Sequence, residues 1–199
     1  KIDKTLYIVD KRQNLHFEQL IKSLNYFNFG DEEYHHIAFG TINDSNGNPY
    51  KTREGDAKKL INLFKETSLQ IKKINSDLDD GTNKLLANTV LTFSDLKTNR
   101  MTDYKFDLNK FTNTSGKTGI YVQYAFVRAK KLLNGSSINT RKINLNIADL
   151  DESDLSLIRG MIKFEYYFNL ALENNEPHHL ADYLYELSNL FNSMYQNQN

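Results

Sequence analysis

The chain has 199 residues, enough for one large domain or two small ones with a buried core. Its 25 basic and 25 acidic residues give no formal net charge, which argues against indiscriminate binding to polyanions but allows one basic face. The chain contains no cysteine, so disulfides, a thiolate nucleophile and a cysteine-ligated zinc are excluded. No apolar run reaches the roughly 18 residues of a membrane span.

The first 40 residues predict a strand, a helix and a second strand. TLYIV (5–9) and YHHIAFG (34–40) are runs typical of strands, and between them apolar residues recur at helical spacing: Phe17, Leu20, Ile21 and Leu24. This is a βαβ unit, whose two strands run parallel. Because two strands do not make a stable parallel sheet and the chain begins with Lys1, we expect it to be a segment of a longer protein.

From Asp56 onward the pattern is helical. Predicted helices cover residues 56–78 (ended by DDGTN), 85–96 and 119–133, and two more begin at DESD (151–154) and at Pro177, the last with a core stripe of Leu180, Leu184, Leu187, Phe191 and Met194. The predicted fold class is therefore mostly α with a small α/β part, in which a partial parallel sheet precedes an all-α bundle. The predicted domains are 1–80 and 81–199, with the boundary between 80 and 105.

Two short segments resemble phosphate-binding loops. SGKTG (115–119) looks like the end of a P-loop, but that motif needs a glycine where the chain has Phe111, so this interpretation fails. KTREG (51–55) follows a strand and a turn and opens a helix, where loop cations could hold a polyphosphate. The alternative is an ordinary solvated basic loop.

The five histidines do not form a recognisable metal motif, and no metal site is predicted from them. His35 and His36 are adjacent on a strand and point to opposite faces, while His178 and His179 match no HExxH pattern. His16 differs from the other four because its position suggests a role in ligand binding. It follows Gln13 by three residues at the carboxyl end of a parallel strand, where open α/β sheets bind their ligands.

The helix from Ile120 to Leu133 presents two faces. One is a predicted core stripe of Val122, Phe126, Ala129 and Leu133; the other, about 100–160° away, carries Tyr121, Tyr124 and Arg128. Tyrosines beside an arginine can stack unpaired bases and hold phosphate. Alternatively, both tyrosines pack against a neighbouring helix.

Five segments, in this order, closely resemble the C-terminal half of bacterial arginyl-tRNA synthetases: YIVDKRQNLHFEQL, HIAFGTIN…PYKTREGDAKKL, NRMTDYKFD, YVQYAFVRAKKLL and PHHLADYLYELSNLFNSMY. The resemblance implies part of a class I Rossmann catalytic domain followed by a DALR-type helical anticodon-binding domain. It also implies an ATP-dependent arginine–tRNA ligase, which forms arginyl-adenylate and transfers arginine to its tRNA.

The resemblance also implies roles for residues in the first part. KTREG stands at the KMSKS loop, so Lys51, Thr52 and Arg53 would act on the triphosphate, although the second lysine of that loop is absent. Preplaced cations there would match the charge that develops on pyrophosphate. Gln13 would line the arginine pocket and His16 its edge, whereas Phe39 and Gly40 would lie beside the adenosine.

In the helical part, the resemblance assigns tRNA contacts to Tyr121, Tyr124, Arg128 and Tyr195. The family's usual GNTAPY before this helix reads GKTGIY here, so Lys117 replaces an asparagine and the proline is lost. Contacts of that loop with tRNA therefore do not transfer.

The implied partners are arginine, ATP with Mg²⁺ and an arginine tRNA, with no prosthetic group and no membrane. The resemblance further implies a cytoplasmic protein that is monomeric at full length. The HIGH motif occurs nowhere in these residues, so we expect that the 199 residues do not form arginyl-adenylate unaided. The alternative function is a non-catalytic RNA-binding or protein-interaction module derived from the helical bundle.

Overall fold

The computed structural model describes residues 3–43, 47, 60–136 and 146–197. The strands and helices are β1 (Lys4–Asp10), α1 (Asn14–Tyr26), β2 (Glu33–Phe39), β3 (Ile42–Asn43), α2 (Leu60–Ile74), α3 (Asp80–Leu96), β4 (Tyr104–Lys105), α4 (Leu108–Phe111), α5 (Gly119–Gly135), α6 (Glu152–Ile162), α7 (Phe164–Asn174) and α8 (His178–Asn197). Small parallel sheets and a large helical part confirm the predicted fold class. Within these ranges, no helix combines the length and apolar character needed to cross a membrane.

The chain divides into two compact units. Unit 1 comprises Lys1–Lys58 with Thr98–Asp107, and unit 2 comprises Lys59–Lys97 with Leu108–Asn199. Helix α2 thus packs within unit 2, whereas the predicted domain boundary between 80 and 105 leaves it with the α/β part. The predicted boundary separates two sequence domains, whereas the two units are defined by packing, so the boundary stays a prediction.

Unit 1 is built on the predicted βαβ arrangement. Strands β1 and β2 pair in parallel from Lys4 opposite Glu33 to Asp10 opposite Phe39. The predicted apolar face of α1 points inward, since the buried Phe17 ring lies 5.2 Å from the Tyr7 ring and stacks 4.7 Å from His36. Consequently the residues that follow β1 and β2 emerge at the same edge of the sheet.

The first helices of unit 2 begin and end differently from the prediction. Helix α2 ends at Ile74, and DDGTN starts the next helix rather than merely stopping this one. The Asp79 carboxylate accepts a hydrogen bond from the backbone N–H of Thr82, which satisfies a donor that the first turn of α3 leaves open. Asp79 is therefore the N-cap of α3.

The predicted core stripe of α5 was wrong in part. Phe126 is 60% exposed and Leu133 is 57% exposed, whereas Gly119 and Ala125 are buried. The physical reason is a close approach: a Cβ added to Gly119 would lie only 2.7 Å from the backbone oxygen of Thr89 on α3. Helix α5 meets α3 through a small residue, so a pattern search that follows large apolar side chains does not show where this helix is buried.

The C-terminal part contains one helix more than predicted. Two helices were expected across residues 146–197, and the structure has α6, α7 and α8. The helix predicted to begin at DESD is divided into α6 and α7, because only Lys163 separates them and the helical pattern runs through both. Asp151 caps α6 in a capping box with Asp154, and Asn175 ends α7 in the left-handed conformation at φ 52°.

The core stripe of α8 is displaced from the predicted one. Leu184 is 43% exposed, and the other four predicted positions are half-buried. The buried positions are Ala181, Tyr183, Ser188 and Asn192. Three of these side chains are polar, which is why apolar spacing alone did not select them.

Candidate functional site

Helices α5 and α8 bring together an aromatic–arginine cluster made of Tyr121, Tyr124, Arg128 and Tyr195. The first three recur at i, i+3 and i+7 on α5, and Tyr195 lies in the last turns of α8. The two helices pack against each other in unit 2, and these positions lie along that contact. All four were predicted from the sequence as tRNA-contacting residues, and the structure places them on one surface.

Arg128 lies at the centre of this cluster. Its guanidinium carbon is 4.0 Å from the Tyr124 ring centroid and 4.9 Å from the Tyr195 ring centroid. Nη2 donates to the Tyr124 hydroxyl at 2.7 Å, and Nη1 donates to Asn192 Oδ1 at 3.1 Å. A guanidinium carries five N–H donors, so these two bonds leave donors for a ligand while they fix the plane of the group.

The two tyrosines of α5 have different surroundings. Tyr124 is 51% exposed, and the Arg128 guanidinium lies against its ring. Tyr121 instead lies 5.6 Å from the Tyr185 ring, and its hydroxyl donates to Asn189 Oδ1 at 2.8 Å. Tyr121 thus packs on the neighbouring helix, as the alternative interpretation expected, whereas Tyr124 remains available for stacking.

The pattern search missed three residues of α8 that hold this surface: Tyr185, Asn189 and Asn192. They follow one another at i, i+4 and i+7, the spacing of one helical face. This polar and aromatic stripe runs beside the apolar one. A search for polar side chains at helical spacing would have found it.

The start of α5 is fixed without the family's proline. The Thr118 side chain accepts from the backbone N–H of Tyr121 at 3.2 Å and donates to the carbonyl of Asn113 at 2.7 Å. Lys117 forms an ion pair with Asp182 of α8. The substituted lysine therefore joins α5 to α8 just ahead of the aromatic–arginine cluster.

In unit 1, the structure places a second group of predicted residues at the carboxyl edge of the sheet: Gln13, His16, Phe39 and Gly40. Gln13 and His16 follow β1, whereas Phe39 ends β2 opposite Asp10. Both Gln13 and His16 are exposed, and Phe39 is 41% exposed. These sheet-edge residues surround the position where open α/β sheets bind ligands.

Gly40 is required by a close backbone approach. Its N–H donates to the carbonyl of Arg100 at 2.6 Å, and an added Cβ would lie 2.8 Å from the backbone of Thr102. Only a residue without a side chain fits there. The KMSKS-like residues Lys51, Thr52 and Arg53 lie outside the described residues.

Asp10 fixes the turn that carries Gln13. Its carboxylate accepts from the Arg12 side chain at 2.6 Å and from the Arg12 backbone N–H at 2.8 Å. These hydrogen bonds, the side-chain bond first, lower the pKa of Asp10 from 3.8 to about 2. The turn after β1 is consequently held by a carboxylate that is ionised at every physiological pH.

Two family models match the chain. Residues 1–108 match the catalytic domain of class I tRNA synthetases (R), and residues 122–199 match the DALR anticodon binding domain. The second range contains Tyr124, Arg128 and Tyr195 and begins one residue after Tyr121, and the first contains all four sheet-edge residues. The two models thus separate the two groups of candidate residues.

Comparison with individual relatives and solved structures also points to arginyl-tRNA synthetases. The chain is 35% identical to an arginine–tRNA ligase of Francisella tularensis subsp. tularensis, over 98% of this chain and 35% of the relative. Among solved structures, it is similar to the arginyl-tRNA synthetase of Thermus thermophilus (TM-score 0.83, 25% identity, 96% of this chain and 33% of that one). It is also similar to that of Plasmodium falciparum (TM-score 0.78, 28% identity, 98% and 34%).

The chain spans about a third of the length of the curated relatives that it matches. The matches confirm the resemblance to arginyl-tRNA synthetases that the five ordered segments predicted. Because the catalytic-domain model covers more than half of its residues, the chain belongs to the family of class I tRNA synthetases (R).

Proposed function

We propose that this chain is part of an arginine–tRNA ligase, in which unit 2 binds the tRNA and unit 1 contributes to the site for arginine and ATP. One observation carries the tRNA part: Arg128 is held 4.0 Å from the Tyr124 ring on α5 and 4.9 Å from the Tyr195 ring on α8. These three residues lie within the range that matches the anticodon binding domain.

The aromatic–arginine cluster is suited to an unpaired RNA loop. The exposed Tyr124 ring can stack on a splayed base, and the remaining guanidinium donors can bind a phosphate or a base edge. Because the arginine is already oriented by Tyr124, Tyr195 and Asn192, little side-chain freedom is lost when RNA binds. Tyr121 of α5 contacts Tyr185 and Asn189 of α8 and so supports the surface that carries the cluster.

Unit 1 supplies part of the adenylation site in this proposal. Gln13 offers a neutral amide to the arginine substrate, His16 lies at the pocket edge, and Phe39 with Gly40 borders the adenosine. Lys51, Thr52 and Arg53 would stabilise the triphosphate of ATP, which carries Mg²⁺ as part of the substrate. For Gln13, His16, Phe39 and Gly40, the support is their common location at the carboxyl edge of the sheet. For these residues and for Lys51, Thr52 and Arg53, it is also the family match over residues 1–108.

The tRNA role is tested by measuring the affinity of the chain for an arginine tRNA and for the same tRNA with a changed anticodon. Tyr124→Ala is expected to weaken binding to the first by about 1–3 kcal/mol, roughly 5- to 150-fold, through loss of base stacking. Tyr166→Ala is the matched control, because Tyr166 is 65% exposed on α7 and belongs to no part of the cluster.

Equal affinity for both tRNAs, or equal losses in the two variants, would overturn the anticodon role and favour the non-catalytic module instead. For the catalytic part, we expect no arginine-dependent ATP–pyrophosphate exchange from residues 1–199 alone, since they include no HIGH motif. Exchange by the purified chain would contradict that expectation.

A further inference from the structure

We propose that Glu176, His178 and His179 form a binding site for a divalent transition-metal ion such as Zn²⁺. Each residue offers one ligand atom, and these atoms lie within 4.8 Å of one another. The site is at the connection between α7 and α8 in unit 2. It is independent of the aromatic–arginine cluster and of the proposed tRNA function.

The backbone around the three residues is fixed on both sides. Asn175 ends α7, and the N–H of Glu176 donates to the carbonyl of Ala171 at 2.9 Å. The N–H of His179 donates to the carbonyl of Glu176 at 3.3 Å, and α8 begins at His178. The ligands are thus carried by a capped helix end and a first helical turn rather than by a long loop.

The side chains already converge. His179 Nε2 lies 3.2 Å from Glu176 Oε2, and the His178 and His179 rings have centroids 4.1 Å apart at 34°. In a tetrahedral zinc site, bonds of about 2.0–2.2 Å place ligand atoms roughly 3.4 Å apart. Side-chain rotations that bring the widest pair closer by up to about 1.4 Å would therefore satisfy this geometry, with the fourth position left for water.

Burial supplies an independent observation. His178 Nδ1 is sealed from solvent and makes no hydrogen bond to any residue that the structure describes. A buried ring nitrogen without a partner is unfavourable, and coordination through that nitrogen would provide the missing partner. The His179 and Glu176 side chains are only 22% and 23% exposed, so the cluster is a partly enclosed site.

The ligand chemistry selects the class of metal. Two imidazoles and one carboxylate suit Zn²⁺, Cu²⁺ or Ni²⁺, whereas Mg²⁺ and Ca²⁺ prefer oxygen ligands alone. Spacing rules for known metal motifs overlooked this set, because Glu176, His178 and His179 match no HExxH pattern. The sequence signal is the tetrapeptide EPHH (176–179).

The test is calorimetric titration of the metal-stripped chain, purified without a histidine tag, with ZnCl₂ and separately with MgCl₂. We expect saturable binding of one Zn²⁺ and none of Mg²⁺. His179→Asn and Glu176→Gln should each weaken Zn²⁺ binding by at least about tenfold, since one of three ligands is lost.

The matched control is His35→Asn. His35 Nε2 lies 3.0 Å from Glu33 Oε2, so it is a histidine–carboxylate pair of the same kind for which the described residues supply no third ligand. This variant should keep parental Zn²⁺ affinity. Circular dichroism checks that each variant is folded, and bound Co²⁺ gives a second readout through a tetrahedral absorption band.

Absence of saturable Zn²⁺ binding, or Zn²⁺ affinity in His179→Asn equal to that of the parent, would overturn the proposal. A Co²⁺ band that persists in both ligand variants would do the same. A misfolded His179→Asn protein leaves Glu176→Gln as the deciding variant, because glutamine preserves the size of that side chain.

Discussion

The two groups of candidate residues differ in how their own unit holds them. In the aromatic–arginine cluster of unit 2, Arg128 is bonded to Tyr124 and to the buried Asn192 and lies against two rings. At the sheet edge of unit 1, the turn and the backbone are fixed through Asp10 and Gly40, while the Gln13 and His16 side chains are exposed. One site is preorganised at the side chains, and the other is preorganised at the backbone.

This difference agrees with the chemistry proposed for each. Stacking on an RNA base needs a rigid ring and an oriented cation before the ligand arrives. A substrate pocket at a sheet edge needs its strands and turns in register, and its side chains gain partners when the substrate binds. Substitutions at Gly119, Arg128 and Asp10 each alter one kind of organisation.

Gly119→Ala is expected to have the largest effect. The new methyl group would lie 2.7 Å from Thr89 O, 2.9 Å from Thr89 Cγ2 and 3.0 Å from Phe93 Cβ, and a backbone oxygen cannot rotate away. The overpacking should lower the free energy of unfolding by about 1–3 kcal/mol, measured by urea denaturation.

Gly135→Ala is the control on the same helix. No atom lies within 4 Å of an added Cβ there, so the substitution should leave stability within about 0.5 kcal/mol or raise it through helix propensity. If the two alanine variants unfold at the same urea concentration, α5 does not approach α3 as closely as described.

Arg128→Lys tests the side-chain organisation of unit 2. Lysine keeps the charge but loses the planar group that lies over two tyrosine rings, and it leaves Asn192 Oδ1 without its present donor. We expect a loss of about 1 kcal/mol in unfolding free energy and weaker tRNA binding.

Arg159→Lys serves as its control. Arg159 donates to Glu152 at 2.7 Å on the exposed side of α6, and exposed ion pairs contribute little. A parental Tm and parental RNA affinity for Arg128→Lys would show that the stacked geometry is dispensable and that charge alone matters.

The sequence predicted the larger features of the fold because they depend on repeated signals. The βαβ unit followed from two strand-like runs around Phe17, and α5 followed from fifteen residues of helical pattern ahead of a polar segment. The predicted core stripe of α5 was wrong at Phe126 and Leu133 because burial there depends on which helix comes close. A glycine that permits the approach of Thr89 has no apolar signal of its own.

The candidate sites also contain residues that the sequence predicted and residues that it missed. Tyr121, Tyr124, Arg128 and Tyr195 were found through motifs, and the structure adds the contacts that orient them. Asn189 and Asn192 were missed because the search followed apolar spacing, whereas their contribution is a hydrogen bond to Tyr121 and to Arg128 on α5. The EPHH cluster was missed because no HExxH spacing marks it, and its ligand atoms come together through side-chain conformations that sequence spacing does not encode.

The smallest expected effect tests the backbone organisation of unit 1 through pH. The pKa of Asp10 is about 2 in the folded chain, against about 3.9 in an unfolded one. Because the folded value is depressed, the carboxylate contributes stability that is fully present above about pH 4 and is lost as the pH falls through about 2. Asp10→Asn should therefore be less stable than the parent at pH 6, and this difference should shrink steadily between pH 4 and pH 2.

Urea unfolding followed through the amide signals of β1 measures this difference at each pH. Arg12→Gln removes the hydrogen-bond partner that lowers the pKa most, so the double variant Asp10→Asn/Arg12→Gln separates the pair from each single effect. Coupling at pH 6 that disappears at pH 2 would locate the stabilisation in the ionised pair. A difference in unfolding free energy between parent and Asp10→Asn that stays constant across this range would mean that the turn before Gln13 is held by its backbone geometry alone. The contrast between the two units would then be sharper than described.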